Sequence, residues 1–172
     1  RFDGVKLLSE ALTKGAEIEF LLISESAYEA VDEKLKSLCS QSLGALGCRK
    51  VVVSDSVFGK ISEENAPEGV IVVARYDGER HRDCTASEIS VHADERVLFL
   101  ESVRDPQNVG AILRTAAAFS VDRVIMSRDC ADIYNSKTLR ASMGAVFTLE
   151  IDRVDSIGAA IEAVRGCGRR VF

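Results

Sequence analysis

No apolar run in this 172-residue sequence approaches the roughly 20 residues that a membrane span requires. No basic-then-apolar segment opens it either. A cytoplasmic protein with no membrane partner is the expectation. C-x-x-C pairs are absent as well. The five cysteines, Cys39, Cys48, Cys84, Cys130 and Cys167, are odd in number and scattered, which speaks against a disulfide framework and for a reducing compartment. A metal centre lacks ligands: His81 and Cys84 lie three apart, but zinc takes four donors and nothing nearby supplies the other two. No metal is expected. Neither G-x-G-x-x-G nor G-x-x-x-x-G-K-[ST] occurs, so an ordinary nucleotide-binding α/β domain has no phosphate loop to offer. Repeats and biased tracts are missing too, and with 47% hydrophobic and 28% charged residues the chain reads as globular rather than disordered or fibrous.

The length suits one medium domain or two small ones. Net charge is −5, unevenly spread: residues 1–95 hold 11 Lys/Arg against 18 Asp/Glu, net −7, whereas residues 96–172 hold 11 against 9, net +2. Nearly every cation in the second half is arginine, whose planar fork suits phosphate and ribose. The acidic total argues against non-specific coating of nucleic acid. It leaves a local basic site open, because phosphate affinity depends on the contacts made.

Hydrophobic periodicity predicts helix over 5–12, strand over 19–24, helix over 26–38, strand over 50–54, a helical stretch over 56–62 and strand over 69–74. Such alternation implies a mostly parallel or mixed sheet covered on both faces. Residues 75–95 then turn polar and turn-rich, as a linker does. A second series follows: strand 97–102, helix 109–119, strand 123–127, a short helix over 136–142, strand 146–151, helix 154–165 and a strand over 169–172, in which the chain stops. The expected division is a small domain over 1–78, a linker over 79–95 and a second α/β domain over 96–172.

The most informative segment is D-P-Q-N-V-G-A-I-L-R-T-A-A-A-F over 105–119. It follows a strand and opens a helix, placing free backbone N–H groups at the carboxyl edge of a sheet, where ligands bind. Asn108 is the expected N-cap by residue type. Ile112, Ala116 and Phe119 form the expected core stripe, and Arg114 projects about 200° from Ile112, among the small residues Gly110, Ala117 and Ala118. A face of small side chains admits another backbone, a second subunit or a ligand, with one long cation at the contact. An ordinary solvated arginine is the plainer alternative. Further on, Lys137 and Arg140 lie three apart on a short helix, and Ser142 and Gly144 follow at its end. That pattern equally describes a cationic surface helix.

A strand followed by D-P-x-N-x-G-A-I-x-R-T-A-x-A-F resembles the first signature motif of the SpoU/TrmH RNA 2′-O-ribose methyltransferases, of the SPOUT superfamily. Asp105, Pro106, Asn108, Gly110, Arg114, Thr115, Ala116, Ala118 and Phe119 carry the match. Ser120 stands where the family usually has glycine. The stretch from Ala131 to Ala145, ending in R-A-S-M-G-A, resembles the family's next segment, with Ser136 in place of its usual proline. The segments F-D-G-V-K-L-L-S-E-A-L over 2–12 and E-N-A-P-E-G-V over 64–70 resemble the two ends of the family's small N-terminal domain, itself similar to a ribosomal RNA-binding protein.

The resemblance implies an RNA-binding domain followed by the first part of a SPOUT-type catalytic domain. It implies transfer of a methyl group from S-adenosylmethionine to a ribose 2′-hydroxyl of ribosomal or transfer RNA, with no metal required. Arg114 and Asn108 become the catalytic candidates, and Lys137, Arg140 and Ser142 the RNA-binding ones. Family members continue with a glycine-rich loop containing a glutamate and then a serine-asparagine motif that closes a C-terminal knot around the cofactor. Neither follows Phe172, so the chain is expected to be C-terminally truncated, inactive alone, with its cofactor-binding residues mainly beyond Phe172. Full-length members pair as homodimers. A non-catalytic RNA-binding module or fragment is the alternative.

Overall fold

The computed structural model describes residues 1–172 except Asn65, Tyr76, Asp77 and Ala93. Tyr76, Asp77 and Ala93 belong to the stretch expected as a linker, and what was expected of them lies outside the described residues. The chain divides into two compact units, Arg1–Tyr76 and Asp77–Phe172.

In unit one, β1 (Phe2–Asp3), α1 (Val5–Thr13), β2 (Ile18–Ser24), α2 (Tyr28–Cys39), β3 (Arg49–Val53), α3 (Asp55–Ile61) and β4 (Val70–Ala74) follow in order. The sheet runs β1-β4-β2-β3, with β3 parallel to β2 and β4 antiparallel to both β1 and β2. A strand reading F-L-L-I is apolar on both sides, so both must be covered. Leu21 and Ile23 are buried on one side, while Leu22 on the other packs with Phe58 of α3 and Ile71 of β4.

In unit two, β5 (His81–Asp83), β6 (Val97–Leu100), α4 (Pro106–Ala118), β7 (Arg123–Ser127), α5 (Ser136–Ser142), β8 (Glu150–Val154) and α6 (Ile157–Gly166) build an all-parallel sheet of order β5-β8-β7-β6. Parallel neighbours need long crossovers, and the helices supply them. Along one face, Ile157, Ala160 and Val164 of α6 cluster with Ile125 and Val154 of the sheet and with Cys84 and Ile89. Among the described residues, no helix is long and apolar enough to cross a membrane.

Three expectations need correction. The stretch 79–95 is not a bare linker. It carries the edge strand β5 and a turn over Ala86–Glu88, capped by Thr85 and Glu88, and it buries His81, Cys84 and Ile89. Its charges hid the strand, because Arg82 is satisfied sideways by Asp152 at 2.8 Å. The strand expected over 146–151 starts at Glu150, after a tight turn over Ala145–Phe147, and α6 starts at Ile157, capped by the Ser156 side chain. Asp152 disguised it, being a carboxylate at the centre of a strand yet wholly buried. Residues 169–172 form no strand. Arg169 donates instead to the Glu95 carbonyl, and Val171 packs against the α6 cluster.

Asp152 holds two guanidinium groups, Arg82 and Arg123, and Arg123 also pairs with Glu95 and Glu150. Removing one member of a buried ion network strands the others without solvent, at a cost of about 3–5 kcal/mol. Asp152→Ala is therefore expected to lower the unfolding free energy of unit two by about 3–5 kcal/mol, read as a lower urea midpoint. Arg82→Met is expected to cost less, since 43% of the Arg82 side chain remains in water.

Candidate functional site

Strand β6 ends at the carboxyl edge of the sheet, and a short loop leads into α4. The cap of α4 is Asp105, whose side chain accepts from the Asn108 N–H at 2.9 Å, with Pro106 in the first turn. Asn108 is thus not the cap. An Asp-Pro pair is the stronger start signal, because aspartate accepts the orphan amide and proline pre-sets φ. Starting a turn earlier leaves the Asn108 side chain exposed, with no hydrogen bond among the described residues.

The buried face of α4 is Val109, Gly110, Leu113 and Ala116. The expected stripe holds only at Ala116: Ile112 is half-buried and Phe119 is 72% exposed. In an alanine-rich helix the apolar stripe is wide enough to be read one position off. Ser120, standing where glycine is usual in the family, takes φ 56, the left-handed region that glycine enters most easily.

Against the small-residue face of α4 lies α5. A Cβ at Gly110 would fall 2.5 Å from the Thr138 carbonyl oxygen and 2.6 Å from the Ala141 Cβ. Only glycine permits that approach. Helix α5 occupies its expected residues, and the Asn135 side chain caps it by accepting from the Lys137 N–H at 2.9 Å. Ser142 stands apart from the other candidates: it is 0% exposed and its hydroxyl donates to the Leu139 carbonyl at 2.8 Å, so it packs in the interior.

The two helices leave a groove between them of about 450 Å³, lined by Gln107, Asn108, Ala111 and Arg114 of α4 and by Lys137, Arg140 and Ala141 of α5. Four of the five residues picked from sequence therefore share one concavity. Arg114 is exposed and makes no hydrogen bond or ion pair among the described residues. Three cations and two amides, with no carboxylate in the lining, suit a phosphate or a hydroxyl that is acquiring negative charge. The His81 ring hydrogen-bonds the Tyr134 hydroxyl, and Cys84 packs in the core, where burial pushes its thiol up.

Asp129 carries no local signal of a role. Its carboxylate accepts from the Ser127 hydroxyl at 2.6 Å, the Ser102 hydroxyl at 2.8 Å and Arg104 at 3.2 Å. Those three donors, Ser127 first, hold it at about 2, below the usual aspartate range. An aspartate that follows a strand in a polar loop is commonplace, and its donors lie on two segments.

The parallel sheet with a cationic groove at its carboxyl edge marks a ligand-binding α/β domain. Residues 95–172 match the model of the SpoU rRNA Methylase family. Over 170 residues it is 24% identical to the Bacillus subtilis 23S rRNA (guanosine(2553)-2′-O)-methyltransferase RlmP, spanning 99% of this chain and 60% of that protein. It is 34% identical to the zebrafish (Danio rerio) mitochondrial rRNA methyltransferase 3B, over 87% of this chain and 32% of that one. Among solved structures, the SpoU methyltransferase AviRb from Streptomyces viridochromogenes in complex with AdoMet matches with a TM-score of 0.71 and 26% identity, over 96% of this chain and 60% of that one. The chain thus spans between a third and three fifths of the relatives it matches.

Two outcomes are expected. Gly110→Ala should destabilise unit two by about 1–3 kcal/mol on chemical denaturation, overpacking outweighing the gain of about 1 kcal/mol in helix propensity. Asp129 titrates lower in the fold than in the unfolded chain, so its stabilisation is complete above its ordinary pKa of 3.8 and is lost as pH falls through about 2. The difference in urea midpoint between the native protein and Asp129→Asn should be constant from neutral pH down to about 5 and shrink steadily below 3.8.

Proposed function

We propose that the protein containing this chain methylates a ribose 2′-hydroxyl of ribosomal or transfer RNA, with S-adenosylmethionine as donor, and that the α4–α5 groove seats the ribose and its flanking phosphate. One observation carries this: Asn108, Arg114, Lys137 and Arg140, from two separate motifs, line the same groove, and Arg114 has no protein partner among the described residues. The match to the SpoU rRNA Methylase family model and the relatives named as rRNA methyltransferases support the same chemistry.

S-adenosylmethionine supplies a methyl group on a positively charged sulfur. The groove does not fit that cofactor. Its three cations oppose a sulfonium, and Ala111 and Ala141 make no slot for an adenine ring. No residue of this chain is assigned to it. What the groove does fit is the RNA side of the reaction. A 2′-hydroxyl is a weak nucleophile until its oxygen is polarised. A guanidinium holds its protons throughout the biological pH range, so Arg114 is no general base. It donates hydrogen bonds to the ribose oxygen or the adjoining phosphate and stabilises the alkoxide as it develops. Asn108 orients the sugar from the first turns of α4, and Lys137 and Arg140 hold phosphates from α5.

On the same proposal, residues 1–78 are the RNA-binding domain, residues 96–172 the first part of the catalytic domain, and the active species a homodimer in the cytoplasm. The exposed Phe119 beside Ala118 suits pairing, and five unpaired cysteines suit a reducing compartment.

In the full-length protein, Arg114→Ala is expected to lower methyl transfer by about 100- to 1000-fold, the size of losing one preorganised donor, with thermal unfolding and cofactor binding near native. Turnover within a few-fold of native would remove Arg114 from the mechanism.

A further inference from the structure

The loops that enter the two groove walls are bound into one unit. Ser102 and Arg104, before α4, both donate to Asp129, before α5, and Ser127 donates to the other carboxylate oxygen. The Ser127 hydroxyl in turn accepts from the Ser102 N–H at 2.8 Å. Two further bonds close the seam: Ala131 N–H to the Val103 carbonyl at 2.9 Å, and Val103 N–H to the Cys130 sulfur at 3.3 Å. Ser102 has φ 55, a left-handed conformation that a non-glycine residue keeps only when its surroundings hold it. Its hydroxyl and its N–H are both held, one by Asp129 and the other by Ser127, which Asp129 itself engages.

We propose that Asp129 is a positioning residue for the groove: by locking residues 102–104 against 127–131, it sets where α4 presents Asn108 and Arg114 relative to where α5 presents Lys137 and Arg140. Asp129 acts through the two loops and does not touch RNA. The inference rests on the reading of the groove as the RNA site. A carboxylate is the group this junction needs, because three donors converge on it and it brings acceptors only. An asparagine of the same shape would turn an N–H₂ toward a serine or Arg104 and break one branch of the bridge.

The test compares Asp129→Asn, Ser102→Ala and Arg104→Ala in the full-length protein, by amide hydrogen exchange and by steady-state methyl transfer. Asp129→Asn should speed exchange in both 101–105 and 128–135. It should lower kcat on the order of 10- to 100-fold, as a misplacement near 1 Å does, with a smaller change in KM for RNA. Ser102→Ala, a milder change, should shift both readouts in the same direction, and Arg104→Ala, which removes a donor whose side chain is 77% exposed, should shift them least. Faster exchange confined to 128–135 would overturn the proposal. So would an unchanged kcat, or an Arg104→Ala variant that reproduces the whole loss, which would make Arg104 the working group. If the native protein methylates no RNA, it is the functional reading that fails, and the exchange of the two loops alone decides whether Asp129 couples them.

Discussion

How closely α4 and α5 approach each other governs the whole groove, and an absent side chain sets that distance. At Gly110 the backbone of α4 meets Thr138 and Ala141 with no room for a Cβ. Thr138 is itself fixed, being fully buried with its hydroxyl donating to the Asp132 carbonyl. One helical turn beyond Gly110 stands Arg114, and one turn before Ala141 stands Lys137. The contact that packs the helices therefore also aligns their cations along a common rim. A larger residue at 110 would wedge the walls apart and dilute the field between them.

Charge is treated in opposite ways along unit two. Where β7 begins, Arg123 is saturated by Glu95, Glu150 and Asp152. Arg123, Glu95 and Asp152 are buried or nearly so, with Glu150 at the exposed rim, and their pairing ties β8 to β7 without exposing a field. Beyond the other end of the strands, the groove leaves Arg114 without a carboxylate. Cations that serve the fold are thus neutralised, whereas the Arg114 guanidinium keeps no ion pair among the described residues, as an anion-binding group on the proposed reading would.

Most of the element order was legible, because β6, α4, β7 and α5 carry strong local signals: an apolar strand, an Asp-Pro start, another apolar strand and an Asn cap. Four of the five site candidates meet in the groove because their motifs follow adjacent parallel strands at one sheet edge. Long-range partners stayed hidden. The polar residues of β5 and the buried Asp152 read as loop until Arg82 and Arg123 are seen to satisfy them. The resemblance makes Ser142 an RNA-contact candidate at a helix end, whereas its hydroxyl turns inward to Leu139. Asn108 and the α4 stripe were misplaced by one turn and one position, the scale on which an alanine-rich helix gives no sharp phase. Asp129 had no local signature, since its donors are divided between two loops.

The salt dependence of RNA binding tests the groove most directly. Each cation that neutralises a phosphate of a single strand contributes about −0.7 to the slope of log affinity against log salt. A variant with Arg114, Lys137 and Arg140 all changed to glutamine should bind a ribosomal RNA oligonucleotide with a slope shallower by about 2. A slope equal to that of the native protein would mean that RNA does not lie between α4 and α5.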